Sequence, residues 1–131
     1  MAKLSSEDFL AGLFATLAER DWETVSIQGN RFDRASAAAF ARLEELAPAK
    51  GIEPRFYVML HPDYGDSTVL RDAVAHLAQW DLIGLDNPEY HTVRLKISRQ
   101  RAERLFRRFG LDKDLFSDLT DRFVAVYQAA A

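Results

Sequence analysis

Between Ser67 and Ile97 the spacing of apolar residues changes twice, and each change predicts an element. Leu70, Ala73, Val74 and Leu77 recur at the i, i+3, i+4, i+7 spacing of one helical face, which predicts a helix over residues 67–81. Ser67 stands where a side-chain oxygen can cap the free amides of the first turn. After Trp80 comes a short apolar run, Leu82, Ile83, Gly84 and Leu85, and then the turn-forming Asp86, Asn87, Pro88 and Glu89. Strict alternation follows, with Val93, Leu95 and Ile97 on one face and Thr92, Arg94 and Lys96 on the other. The pattern is a helix followed by a two-stranded hairpin.

Upstream, Ser5 or Ser6 opens a helix whose broad stripe of Phe9, Leu10, Leu13, Phe14 and Leu17 ends near Arg20. Thr24 to Gln28 alternates, with Val25 and Ile27 on one side, and Gly29 and Asn30 break the short strand this predicts. Asp33 is placed to cap a second helix, with Ala39, Phe40, Leu43, Leu46 and Ala47 facing inward until Pro48 and Gly51 stop it. The 19 residues from Pro48 to Asp66 are far more than the roughly 3 or 4 of a helix-turn-helix turn. Within them Arg55 to Leu60, bounded by Pro54 and Pro62, reads as an added strand or as a short packed helix. Downstream, Ser98 caps a helix with Ala102, Leu105, Phe106 and Phe109 inside and Gly110 at its end, and a last helix runs from about Asp112 to Gln128. The expected architecture is α+β: a winged-helix-like domain of helix, strand, helix, inserted strand, helix and hairpin wing, carrying two C-terminal helices. At 131 residues, 48% of them apolar, residues 1–131 make one domain, with 98–131 as its helical extension.

The last helix presents Leu115, Phe116, Leu119, Phe123, Val126 and Tyr127 along one stripe, more large side chains than the edge of a small core is expected to cover. That excess predicts a homodimer through this face.

Charge changes the picture. The formal −3 conceals a segment, residues 94–108, in which Arg94, Lys96, Arg99, Arg101, Arg104, Arg107 and Arg108 face Glu103 alone: +6 against −9 for the remainder. Such asymmetry points to an electrostatic partner surface, and with Arg71 these are the residues expected to meet phosphates of double-stranded DNA. The helix over 67–81 offers outward Thr68, Arg71, Asp72, Ala75, His76 and Gln79, a single arginine offset by Asp72, with Asp63 and Asp66 just ahead. That is a poor surface for a polyanion. Two functions therefore stand: a small DNA-binding regulator, or an adaptor that holds a partner protein.

Other chemistry is sparse. Without Cys there is neither a disulfide nor a cysteine zinc site. His61 with Asp63 and Asp66 fits no ligand spacing, and His76 and His91 read as surface residues. No nucleophile elbow, phosphate-binding glycine loop or H-E-x-x-H occurs, so no enzyme, cofactor or metal is expected. Trp22, Trp80 and the nine Phe read as packing residues. No apolar run reaches the roughly 18 residues of a membrane span, and Glu7, Asp8 and Glu19 interrupt any signal core, which predicts a soluble, cytoplasmic chain.

The run Tyr64-Gly65-Asp66-Ser67, followed by Leu70 and closed by Trp80-Asp81-Leu82-Ile83, resembles the core of bacterial winged-helix domains related to SocA/Panacea-type antitoxins. Asp66 stands where those domains frequently have proline, and Asp81 where they commonly have glycine. The resemblance covers residues 55–97 and implies a winged-helix scaffold used for DNA binding or for holding a partner protein. It implies no catalytic residue.

Overall fold

The computed structural model describes residues 2–85 and 91–129, with Phe109 described in its backbone alone. In chain order the elements are β1 (Ala2–Leu4), α1 (Ser6–Glu19), β2 (Thr24–Ser26), a 3-10 turn (Gln28–Asn30), α2 (Arg31–Lys50), β3 (Ile52–Pro54), α3 (Thr68–Gln79), β4 (Ile83–Leu85), β5 (Thr92–Leu95), α4 (Arg99–Phe109) and α5 (Lys113–Ala129). The class is α+β. The expected turn at 86–89 and the inward side chain of Phe109 lie outside the described residues.

The helix α1 is the hub. Every residue from Phe9 to Ala18 is buried, so the helix packs on several sides at once, against α3, α4 and α5. The Ser5 hydroxyl accepts from the Asp8 amide at 3.1 Å and starts it. Gly12 lets α5 approach: a Cβ there would stand 2.3 Å from the ring of Phe116. On the other side Phe9 meets Phe40 and Phe56, and Phe14 stacks on Phe32. Each large side chain so buried contributes roughly 1.5–3 kcal/mol.

The strand β5 runs between β2 and β4, antiparallel to both, with Val93 opposite Val25 and Leu85, and Leu95 opposite Ile83. Val25, Val93 and Ile83 are buried, so this sheet closes one side of the core. The α3 helix enters it as the apolar spacing predicts. Ser67 Oγ accepts from the Leu70 amide, and Leu70, Ala73, Val74 and Leu77 are buried.

Four expectations change. First, β1 pairs in parallel with β3, Leu4 opposite Pro54, and β3 precedes the RFYVML run expected to form the added strand. Residues 55–60 form neither strand nor helix. The Arg55 amide still reaches the Leu4 carbonyl at 2.9 Å, but Leu4 is the last residue before α1 is capped, so the pairing has nothing further to follow. Second, α2 starts at Arg31 and continues through Pro48 to Lys50, and Gly51, at φ +66°, ends it. Third, Asp33 does not cap α2. It is fully buried, and its carboxylate accepts from the Ser67 amide at 3.2 Å and from Arg71 at 2.7 Å, tying α2 to the start of α3.

Fourth, the α5 stripe has no surplus. Leu115, Phe116, Leu119, Phe123 and Tyr127 are at most 7% exposed within a single chain, and Val126 is partly buried against the same core. The helix lies across α2 and α1. Polar ties secure it: Arg42 donates to both oxygens of Asp118 at 2.9 and 3.2 Å, and the Ser26 amide donates to the Tyr127 hydroxyl at 2.8 Å. Arg31 lies 3.7 Å over the Tyr127 ring and donates to its carbonyl. The expected dimer face is therefore interior, because the fold-back covers it.

Candidate functional site

Where α3 ends, the chain must turn sharply back into β4, and the residues of that turn build one wall of a groove. The Trp80 amide closes the helix on the His76 carbonyl at 3.0 Å. Asp81 then takes a left-handed conformation, φ +60°, which explains why glycine suits this place. Lys96 donates to its carboxylate at 2.8 Å, and that bond with the positive charge behind it holds Asp81 below the usual carboxylate range. Leu82 drops into the core, its amide on the Leu77 carbonyl. Trp80 is left 52% exposed, with the His76 ring stacked 6.4 Å away and a His76–Glu7 contact of 2.7 Å behind it. Burial raises the Glu7 carboxyl, but hydrogen bonds from His76, the backbone and Ser6 outweigh it and lower the net value.

The opposite wall is α4. Ser98 accepts from the Arg101 amide at 3.1 Å, the predicted cap, and Gly110 ends the helix in a left-handed turn. Ala102 and Phe106 are buried beneath it. Between the walls lies an open groove of about 860 Å3, lined by Trp80 and Leu82, by Arg101, Arg104, Leu105, Arg107 and Arg108, and by Asp8 from the first turn of α1. Leu82 and Leu105 make it apolar beneath a basic rim.

Of the eight cations expected to bind nucleic acid, Arg101, Arg104, Arg107 and Arg108 line the groove and the other four lie off it. Arg71 is 32% exposed, and its guanidinium is engaged by Asp33 and by the Ile27 carbonyl, to which it donates at 3.0 Å. Arg99 is spread across both oxygens of Asp21 at 3.0 Å, away from the groove lining. Arg101 donates to the Asp81 carbonyl at 2.9 Å and so staples the base of the hairpin to α4. Arg94 and Lys96 lie over Gly84 on the outer sheet face, where a Cβ would meet them at 3.0 and 3.2 Å. Arg107 has only a loose 3.9 Å approach to Glu103. Arg104 has no ion-pair partner among the described residues. Asp8, Asp21 and Asp81, brought in from elsewhere in the chain, reduce the formal +6 of the segment to +3.

Four residues of the groove fall outside the cation pattern: Trp80, Leu82, Leu105 and Asp8. Trp80 was legible as a residue just past a helical stripe, but its exposure follows from the left-handed turn at Asp81, which periodicity does not report. The histidines do not assemble. The His61 ring accepts from the Asp63 and Tyr64 amides and stacks on Tyr64, His76 meets Glu7, and no group of three metal-binding side chains exists among the described residues. No described helix is long and apolar enough to cross a membrane.

Comparison of the chain with family models, with characterised proteins and with solved structures gives no match.

Proposed function

We propose that this chain is a non-catalytic binding module of winged-helix build, whose working surface is the groove between the α3–β4 turn and α4 and not the outer face of α3. The build is supported by the order α1, β2, α2, α3, β4, β5 and by a sheet in which β5 lies between β2 and β4. One observation carries the choice of surface: Arg71, the single arginine or lysine of α3, is tied to the buried carboxylate of Asp33, with 32% of its own side chain exposed. A helix that reads base edges needs Arg, Lys, Asn or Gln reaching outward from several positions. Here the outward side chains near its start are Thr68, Val69 and Asp72. The apolar floor of the groove favours a protein partner. Duplex DNA is the second reading, favoured by Arg94 and Lys96 on the outer face of the hairpin, where a wing meets phosphates.

An NMR titration of the nitrogen-labelled chain with a peptide of Asp and Glu residues around Leu and Phe and, separately, with duplex DNA tests the surface. The expected result is that the Trp80 indole and the amides of α4 move while the Trp22 indole stays. Shifts confined to Thr68, Asp72, Ala75 and Gln79 would return the working surface to α3.

A further inference from the structure

The groove has three kinds of lining, and their combination narrows the ligand. Trp80 and Leu105 offer apolar surface open to solvent, while Arg104 and Arg107 offer guanidinium groups that nothing nearby fully neutralises. Asp8 adds a negative charge on the same lining. A phosphodiester backbone would satisfy the arginines but gives the leucines nothing to bury, and its uniform negative charge would be repelled by Asp8. Stacked bases need a succession of rings, and Trp80 is the one aromatic residue among the described residues of the lining. A peptide supplies all three complements: carboxylates for bidentate arginine contacts, large apolar side chains for Trp80 and Leu105, and amide or cationic donors for Asp8. The volume, about 860 Å3, lies within the roughly 300–1,000 Å3 of concave sites that enclose a compact ligand.

We infer that the groove takes an acidic protein segment, with Trp80 and Leu105 receiving a large apolar side chain and Arg104 and Arg107 receiving its carboxylates. This rests on the reading of the chain as a binding module and names the partner of that site. Trp80 is the anchor, since a half-exposed tryptophan in a concave site is the residue type that dominates such interfaces. Arg101 acts differently, because its staple to the Asp81 carbonyl fixes the distance between the two walls.

Fluorescence anisotropy with a labelled peptide of Asp and Glu residues around Leu and Phe tests the inference on the full chain. Trp80→Ala and Arg104→Glu are each expected to weaken binding about tenfold, with Arg104→Lys in between. Replacing the acids of the peptide with Asn and Gln, or its Leu and Phe with Ser, is expected to abolish the signal. Circular dichroism confirms that both variants fold, since both positions are exposed. Binding that survives Trp80→Ala, or that is indifferent to loss of the peptide's apolar side chains, would overturn the inference. Duplex or single-stranded DNA that binds through Arg104 while the peptide does not would overturn it and leave the module intact. If neither peptide nor DNA binds, both readings fall.

Discussion

Two parts of this molecule present apolar residues at helical spacing beside charged ones, and they have opposite fates. Along α5 six large side chains turn inward onto α1 and α2, and the salt bridges around them are internal ties: Arg42 to Asp118, Arg20 to Asp121, Lys113 to Glu19. At the groove between the α3–β4 turn and α4, by contrast, a tryptophan stays half exposed, and Arg104 and Arg107 on the same lining have among the described residues no ion pair closer than the 3.9 Å approach of Arg107 to Glu103. The difference is one of topology and not of composition. A stripe of apolar side chains demands cover, but whether the same chain supplies it depends on whether the connecting loop lets the helix fold back. The short turn through Gly110 and Leu111 sends α5 back across the core, with the Leu111 amide on the Phe106 carbonyl, while no described element returns over Trp80.

Truncation should separate the two regions most strongly. Phe116→Ala is expected to lower stability by about 3–5 kcal/mol in urea unfolding, because the buried ring fills the space that Gly12 opens. Trp80→Ala should cost less, about 1–2 kcal/mol, since half of its surface is already in water. Gly12→Ala adds a Cβ against Phe116 and should cost about 1–3 kcal/mol by overpacking, with partial recovery in Gly12→Ala combined with Phe116→Leu. A loss from Trp80→Ala as large as that from Phe116→Ala would mean that the groove belongs to the core.

The tie beneath α3 is the next test. Asp33→Ala leaves the Ser67 amide and Arg71 without their shared acceptor, at an expected cost of about 1–3 kcal/mol, since Arg71 keeps the Ile27 carbonyl and partial access to water. The decisive companion is Asp33→Ala measured for duplex DNA binding. Release of Arg71 should create at most weak, salt-sensitive association, because Asp72 remains beside it on the outer face. Strong sequence-dependent binding in that variant would show that α3 had been a masked reading helix.

What the sequence disclosed, and what it concealed, divides along the same physical line. Stripes with caps were legible to within a residue or two, Ser5 before α1, Ser67 before α3 and Ser98 before α4, as was the start of α5 near Asp112. The first hairpin strand followed from a short apolar run and the second from alternation. Hidden were features set by distant partners. β1 is three residues long and becomes a strand only because Ile52–Pro54 lies beside it. Asp33 looks like a cap, and it is instead the counter-ion of Arg71 across 38 positions of chain. In the groove the cations were legible one by one, but the apolar wall beside them was not, since it needs the Asp81 turn to leave Trp80 outside.

The smallest predicted effect lies in how the two terminal helices are started. Ser98 caps α4 with a hydroxyl, accepting from the Arg101 amide at 3.1 Å, whereas Asp112 caps α5 with a carboxylate, accepting from the Leu115 amide at 3.0 Å and pairing with Lys50 at 3.1 Å. The Leu115 amide bond is the main influence lowering Asp112 below the ordinary carboxylate value; burial opposes it and Lys50 assists. A carboxyl whose folded value is depressed stabilises the fold fully above its unfolded value, near pH 4, and loses that contribution as pH falls through the lower folded value. Removing each cap should cost about 0.5–2 kcal/mol at neutral pH, for Ser98→Ala as for Asp112→Ala. The pH dependence should differ. Asp112→Asn keeps a capping oxygen and should retain most of the stability at neutral pH, with a flatter decline in urea midpoint between pH 5 and pH 2 than the parent chain. Ser98→Ala should shift the midpoint by the same amount at every pH in that range. Parallel curves for the parent and Asp112→Asn would mean that the Asp112 carboxylate is not the acid-sensitive element of α5.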